Sequence, residues 1–152
     1  MKQILSNDII NQYMPTLVKC PLFNTLGEPE LRSYLNNAKV IIHSYQKNDF
    51  IALAGDPMEG IGVILEGSAL LTRENVMGQR VIMANLEQSD IFGEALLFSK
   101  QPLWPATIKA TKATKIMFIP LETFIKTLPD CHQCQTKILS NLLEDLSEKQ
   151  FY

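Results

Sequence analysis

The sequence predicts a mainly β (α+β) fold, in which an antiparallel sandwich or roll follows N-terminal helices and precedes a long C-terminal helix. Between residues 38 and 119 the chain alternates short β-like runs with turn segments that contain Gly, Asn, Asp or Pro. Short strands at regular spacing are typical of antiparallel rolls. No helical pattern of about ten residues or more separates these runs, which disfavours a parallel βαβ sheet.

The N-terminal segment, residues 8–37, has helical spacing, with Met14, Leu17 and Val18 as its apolar positions. A break at residues 20–23 divides it, and a second short helix is predicted over 28–35. The predicted strands then span residues 40–45, 50–54, 61–65, 69–72, 80–86, 106–110 and 115–119, and a further strand ends at Phe92.

After Pro120 the pattern becomes helical again. A short helix is predicted over 121–128, and Asp130 is a suitable N-cap for a long helix over 131–150. The apolar residues of the long helix form a stripe wider than a coiled-coil seam, which predicts contact both with its own domain and with a second helix. The stripe consists of Ile138, Leu139, Leu142, Leu143 and Leu146.

Composition excludes several classes of protein. The 152 residues favour one domain, and no apolar run approaches the ~18 residues needed to span a bilayer. The N-terminus lacks the apolar core of a secretory signal, so we expect a cytoplasmic protein without membrane contact. With net charge −2, the chain alone is predicted to bind DNA poorly. Its local basic cluster is best explained as a solvated rim; it comprises Lys100, Lys109, Lys112 and Lys115.

Three cysteines, Cys20, Cys131 and Cys134, are too few for a disulfide framework. The C-x-x-C spacing of the last two leaves a metal site or a reversible thiol sensor open, although buried packing is the commoner role of such residues. His43 and His132 are single histidines and are more often structural than haem ligands. We expect no cofactor and no metal, since a complete structural metal site usually has two such pairs and only Cys20 and His43 remain as further ligands. We also expect no enzymatic activity, since no Ser-His-Asp pattern, G-x-S-x-G motif or Walker loop is present.

The segment from Asp90 to Ala110 carries the most specific signal. Its sequence predicts that a strand ends at Phe92, that Gly93 turns the backbone, and that residues 94–98 form one helical turn before a strand resumes near Ala106. A glycine followed by a helix N-terminus presents free backbone N–H groups, which bind anions well.

This segment resembles the phosphate-binding cassette of cyclic-nucleotide-binding domains in the Crp/Fnr family of transcription regulators. The turn glycines Gly55, Gly67 and Gly78, and the order of helices, roll and long helix, extend the resemblance over almost the whole chain. It implies an antiparallel double-stranded β-helix, or jelly roll. It also implies that Glu94 faces a ligand ribose and that nearby N–H groups face a phosphate.

The chain departs from that pattern at the position of the family's Arg-Ser or Arg-Thr pair, where it has Trp104 and Pro105. Arginine neutralises a cyclic phosphate with charge-assisted bonds, whereas Trp has one N–H and Pro has no backbone donor. We therefore expect a response to a small molecule other than cyclic AMP. The predicted ligand-binding residues are Met83, Ala84, Phe92, Gly93, Glu94, Ala95, Leu96, Trp104, Pro105 and Ala106.

The resemblance implies a sensor domain over residues 1–130 and a dimerisation helix over 131–152. The helix would form a homodimer through Ile138, Leu139, Leu142 and Leu146. DNA would be bound only by a winged helix-turn-helix expected beyond residue 152. Two alternatives stay open: Trp104 fills the pocket and leaves a ligand-free dimerisation module, or Cys131 and Cys134 form a thiol or metal redox sensor.

Overall fold

A computed structural model describes residues 2–97, 99–124 and 132–149 of the chain. The strands are β1 (Lys2–Ile4), β2 (Ile41–Tyr45), β3 (Phe50–Ala52), β4 (Gly60–Glu66), β5 (Ala69–Glu74), β6 (Arg80–Leu86), β7 (Ile91–Phe92), β8 (Thr107–Ala110) and β9 (Thr114–Pro120). The helices are α1 (Asn7–Leu17), α2 (Glu28–Asn37) and α3 (His132–Lys149), and 3₁₀ turns cover Glu94–Leu96 and Leu121–Phe124.

The strands form two antiparallel sheets, which confirms the predicted mainly β jelly roll with N-terminal helices and a long C-terminal helix. The five-stranded sheet has the order β1-β2-β9-β4-β7, and the four-stranded sheet has the order β3-β8-β5-β6. Strand β1, which pairs antiparallel with β2, was not predicted because three residues are too few for a recognisable alternation.

The helices cover the outer face of the five-stranded sheet, so the molecule has three layers. Ile61, Val63 and Leu65 of β4 belong to one apolar cluster with residues of all three helices. Ile64 of the same strand belongs to a second cluster, between the two sheets. Because β4 is buried on both faces, its sequence is a continuous apolar run rather than an alternating one.

Local capping explains where the N-terminal helices begin. Ser6 caps α1, since its Oγ accepts a hydrogen bond from the Ile9 N–H at 3.3 Å. At the start of α2, Glu30 Oε1 accepts from the Gly27 N–H at 3.3 Å. The helical segment predicted over 8–37 therefore consists of two helices, α1 and α2, and each begins at a capped residue.

A buried amide holds α3 against the domain. Asn141 Nδ2 donates to the carbonyl oxygen of Leu22 and to Thr25 Oγ1, both at 2.8 Å. The short helix predicted over 121–128 is described only to Phe124, as a 3₁₀ turn. Asp130, Cys131 and Gln150, which were predicted to begin and end the long helix, lie outside the described residues. Within the described residues, no helix is both long and apolar enough to cross a membrane.

Candidate functional site

The cassette segment turns sharply between β7 and the following 3₁₀ turn. Gly93 has φ of 90°, a left-handed conformation that side chains with a Cβ rarely adopt. The helical turn predicted over residues 94–98 is a 3₁₀ turn of three residues, Glu94–Leu96. Such a short turn has little macrodipole, so the expected anion site at a helix N-terminus has weaker support here than the sequence suggested.

Gly93 is also required by close packing. A Cβ built on it would lie 2.9 Å from Met58 Cε and 3.1 Å from Trp104 Cζ3. The indole ring therefore lies directly against the backbone of the cassette turn. Its centroid is 5.7 Å from that of the Phe92 ring, in a tilted arrangement.

Trp104 is held in this position by its backbone. Its N–H donates to the Asp56 carbonyl oxygen at 2.8 Å, and its own carbonyl oxygen accepts from the Gly55 N–H at 2.8 Å. The side chain is 7% exposed and belongs to the apolar cluster between the sheets. The turn at Gly55, one of the family-like glycines, thus positions the residue that stands where the family has arginine.

A cavity of about 250 Å³ lies beside the cassette, between the two sheets. It is lined by Leu71, Ala84, Leu86, Ile91, Phe92, Gly93, Glu94, Ala95, Trp104, Pro105 and Ala106. We call it the cassette cavity. Eight of the ten predicted ligand-binding residues line it, and Trp104 forms part of its wall without filling it. Sequence reasoning missed Leu71, Leu86 and Ile91; the antiparallel register of Leu71 with Ala84 is the signal that identifies the first of them.

Two predicted residues are not among the described residues that line the cavity. Met83 is exposed and lies where the β5–β6 register shifts, because Leu71 pairs with Ala84 and Thr72 pairs with Ile82. Such a bulge changes the face to which a side chain points. Leu96 ends the 3₁₀ turn, and its side chain lies outside the described part of the chain.

The wall of the cassette cavity is almost entirely apolar. Among its described lining residues, Glu94 is the one ionisable side chain, and it is 4% exposed. No lysine or arginine is in that lining set. A phosphate placed here would meet a carboxylate and lack a cationic partner, and a buried charge without a partner is strongly unfavourable.

Comparison with known proteins fits this architecture. The family model for the cyclic nucleotide-binding domain matches residues 42–130, which is more than half of the chain. The chain belongs to the cyclic nucleotide-binding domain family. The cAMP-activated global transcriptional regulator CRP of Pasteurella multocida is 29% identical over 125 residues, covering 80% of this chain and 59% of that protein. This chain therefore spans about three fifths of the length of that curated relative.

Solved structures share the fold of this cyclic nucleotide-binding domain. The sensor domain of the transcriptional regulator DNR from Pseudomonas aeruginosa has a TM-score of 0.74 at 19% identity, covering 93% of this chain and 91% of that one. The Catabolite Activator Protein of Thermus thermophilus has a TM-score of 0.74 at 22% identity, covering 86% of this chain and 58% of that one. The predicted relationship to Crp/Fnr sensor domains is confirmed.

The described cysteines of the domain are buried among apolar side chains. Burial raises the pKa of the Cys20 thiol to about 12, so its reactive thiolate is scarce at neutral pH. Cys134 is buried as well, with its Sγ 3.6 Å from the Glu30 carbonyl oxygen. Cys131 lies outside the described residues, where the predicted thiol pair is not tested. Among the described side chains, no three His, Cys, Asp or Glu residues cluster as metal ligands would.

The burial of residues on α3 differs from what the predicted dimer interface requires. Ile138 and Leu142 are already buried in the core shared with α1 and α2, so in this structure they are not available to a partner helix. Leu139 and Leu146 are half-buried at the edge of that core. Leu143 was part of the apolar stripe but not of the predicted interface, and it is 61% exposed.

Proposed function

We propose that this domain senses a small, uncharged and largely apolar effector, in the cytoplasm, as part of a Crp/Fnr-like transcription regulator. The observation that carries the proposal is the cassette cavity, which combines the family's Gly93–Glu94 turn with Trp104 and Pro105 in place of arginine. At about 250 Å³ it is slightly smaller than the usual range of about 300–1,000 Å³ for ligand pockets, which favours a compact ligand.

Cyclic AMP is a poor candidate on energetic grounds. Loss of a buried, charge-paired contact costs about 2–5 kcal/mol. That cost corresponds to an affinity lower by roughly 30-fold to several thousand-fold. An aromatic or other planar molecule would instead pack against the indole and Phe92 rings, and one hydroxyl or amine donor could bind the Glu94 carboxylate.

The 3₁₀ turn gives a route from the cavity to the long helix. Glu94 and Ala95 line the cavity, whereas Leu97, which caps the turn, is buried in the same apolar cluster as Ile138 and Leu142 of α3. An effector that moves the turn would therefore change the packing of α3. Such a response requires a different effector affinity in two arrangements of turn and helix.

We propose that α3 forms a homodimer, with a seam that excludes the residues buried within the protomer. Leu139, Leu143 and Leu146 are separated by four and then three residues, as the apolar positions of a heptad repeat are. They lie on the side of α3 that is not fully buried. DNA binding would reside in a part of the regulator outside this chain, since the chain matches only part of CRP. The dimer would transmit the effector signal to that part.

A thermal-shift titration tests the effector proposal. The probes are cyclic AMP, cyclic GMP, and uncharged planar molecules such as indole, each paired with a carboxylate analogue such as indole-3-acetate. A ligand at 100 times its Kd adds about 2.7 kcal/mol of stability, which raises the melting temperature measurably. We expect a shift with an uncharged planar probe and none with the cyclic nucleotides.

Matched variants locate the binding. Ala84→Leu adds volume to the cavity wall, whereas Asn85→Leu adds volume at the next residue, which is exposed. The first variant should abolish the ligand shift and the second should preserve it. A shift with cyclic AMP contradicts the argument from the missing arginine. If no probe changes the melting temperature, the result favours the ligand-free dimerisation module instead.

Sedimentation tests the dimer seam. Leu143→Glu should give a monomer, because it puts a charge into the proposed apolar seam at an exposed position that does not support the fold. Gln133→Glu adds the same charge at an exposed α3 position outside the seam and should leave the dimer intact. If the Leu143 variant stays dimeric at the same melting temperature, the seam lies elsewhere.

A further inference from the structure

The outer face of the four-stranded sheet carries a groove that the effector proposal does not use. Two adjoining cavities, of about 460 and 260 Å³, share Thr72, Arg80 and Thr107 as lining residues. We call their union the outer groove; the residues that matter here are Phe50, Leu70, Arg73, Arg80, Ile82 and Lys109. Among the described lining residues, Pro105 is the one that it shares with the cassette cavity.

The groove lies on the opposite face of the sheet from the cassette cavity. On β5, Leu71 lines the cassette cavity and its neighbour Leu70 lines the groove. On β6, Ala84 lines the cavity and Ile82 lines the groove, with the bulge at Met83 between them. Binding in the groove can therefore be altered without changing a residue in the wall of the effector site.

The smaller of the two cavities has an apolar floor that is open to solvent. Ile82 is 63% exposed and Phe50 is 52% exposed, and both lie on this face beside the half-buried Leu70. No helix of the described part of the chain covers them, whereas the helices cover the other sheet. Clustered exposed apolar side chains that are flanked by polar ones mark interaction surfaces more often than single exposed residues do.

The charged residues of the groove are mainly basic. Arg73, Arg80 and Lys109 line it, with Glu74 as the one acidic residue in the two described lining sets. This local excess of positive charge lies on a chain whose net charge is −2. The Lys109 ammonium is 5.5 Å from the centroid of the Phe50 ring, so cationic and apolar binding elements are directly adjacent.

The strand β6 forms one edge of this sheet, with β5 as its neighbour in the sheet order. Its residues from Arg80 to Met83 are exposed. An edge strand presents backbone N–H and C=O groups that can pair with an added extended segment. Side chains of such a segment alternate between its two faces, so every second one would point toward the groove.

We propose that the outer groove docks an extended, acidic segment of another protein, with aliphatic side chains that contact Leu70 and Ile82 and carboxylates that contact Arg80 and Lys109. Charge complementarity and the apolar floor together select this partner. Single-stranded nucleic acid fits less well, because successive bases stack on several aromatic side chains and Phe50 is the one aromatic residue among the described lining residues of the groove. The proposal goes beyond effector sensing and does not depend on it.

Fluorescence polarisation of a labelled peptide tests the proposal. The probe alternates acidic and aliphatic residues, with the sequence Glu-Val-Asp-Leu-Glu-Val-Asp, and its matched competitor replaces every acidic residue with lysine. Short oligothymidylate is the nucleic-acid probe. We expect saturable binding of the acidic peptide that weakens as salt is raised, and no binding of the lysine peptide.

Variants then locate the site. Ile82→Asp and Lys109→Glu should each weaken peptide binding by about tenfold or more. The first puts a carboxylate where an aliphatic side chain of the peptide would pack, and the second puts one opposite a peptide carboxylate. Val76→Asp and Lys112→Glu make the same changes at exposed residues outside the groove and should leave the affinity unchanged. Ile82 and Lys109 are at least partly exposed, so melting temperatures should confirm that all four variants fold.

Four results would overturn the proposal. One is no saturable binding of the acidic peptide up to about 1 mM, a concentration that detects even weak complexes. Another is equal binding by the groove variants and the control variants. The third is stronger binding of oligothymidylate than of the acidic peptide, which would assign the groove to nucleic acid. The fourth is loss of self-association in Ile82→Asp, which would assign the groove to a second copy of this chain.

Discussion

The two sheets of this domain differ in what lies on their outer faces. Three helices cover the five-stranded sheet, and Ile61, Val63 and Leu65 of β4 are buried beneath them. The four-stranded sheet has Ile82 and Phe50 exposed on its outer face, and its inner face borders a cavity. We therefore expect side chains beneath the helices to contribute more to stability than those on the outer face of the other sheet, which remains open to binding.

Matched isoleucines give the largest expected contrast between the sheets. Ile61 is fully buried on the outer face of the five-stranded sheet, and Ile82 lies on the outer face of the four-stranded one. Ile61→Ala should lower the free energy of unfolding by about 2–5 kcal/mol, since it leaves a cavity under the helices. Ile82→Ala should change it by less than about 0.5 kcal/mol. Urea denaturation measures both, and equal losses would refute the comparison.

Alanine substitutions at two glycines near the cassette cavity distinguish the cost of backbone strain from the cost of overpacking. Gly93 and Gly55 both have positive φ, 90° and 92°. A Cβ on Gly93 would be 2.9 Å from Met58 Cε, whereas nothing lies within 4 Å of one on Gly55. Gly55→Ala should cost about 1–2 kcal/mol from backbone strain alone.

Gly93→Ala should cost a further 1–3 kcal/mol or so, because the added methyl group overpacks the contact with Met58 and the indole. Chemical denaturation of both variants gives the difference. If the two alanine variants lose the same stability, the side chains around Gly93 shift to accommodate the added methyl group, and the cavity wall is less tightly packed than the structure indicates.

A buried thiol under the helices makes stability depend on pH. Burial raises the pKa of Cys20 to about 12, from its ordinary value of 9.0. The folded state therefore keeps a proton that the unfolded state loses above about pH 9, so this group's contribution to stability is complete below that pH and declines toward pH 12. The decline from one proton is at most about 1.4 kcal/mol per pH unit.

Cys20→Ala isolates this contribution. Between about pH 9 and pH 11 the free energy of unfolding should fall more steeply for the unaltered protein than for the variant, as measured by urea denaturation at each pH. Parallel pH profiles would mean that the Cys20 thiol is less desolvated than its position suggests. A redox role for this thiol would then have to be considered again.

The smallest expected effect concerns the exposed sheet. Lys109→Met keeps an unbranched side chain and removes the cation above the Phe50 ring, which should cost about 0.5–1 kcal/mol. Lys112→Met is the control, since the Lys112 side chain is exposed and the described contact of this residue is made by its backbone carbonyl oxygen, which accepts from Thr114 Oγ1. A loss of the same size in both variants would show that general charge, rather than the ring contact, is responsible.

Local rules account for much of the fold and part of the site. Alternating strands, turn residues such as Gly55 and Gly93, and the apolar period of α3 are short-range patterns, so the β-roll between helices followed from the sequence. The eight predicted residues that line the cavity came instead from the resemblance to the family's cassette. The same patterns predicted neither the three-residue strand β1 nor the 3₁₀ form of the turn after Gly93. Both depend on contacts with other elements rather than on local preference.

Tertiary structure alone decided which faces remain available. The apolar stripe on α3 is visible in sequence, but only packing against α1 and α2 shows that Ile138 and Leu142 are inside the protomer and Leu143 is outside. The register shift near Met83 likewise moves it out of the cassette cavity and leaves Ile82 on the outer groove. Periodicity identifies an apolar face, whereas the strand register and the neighbouring elements determine what covers it.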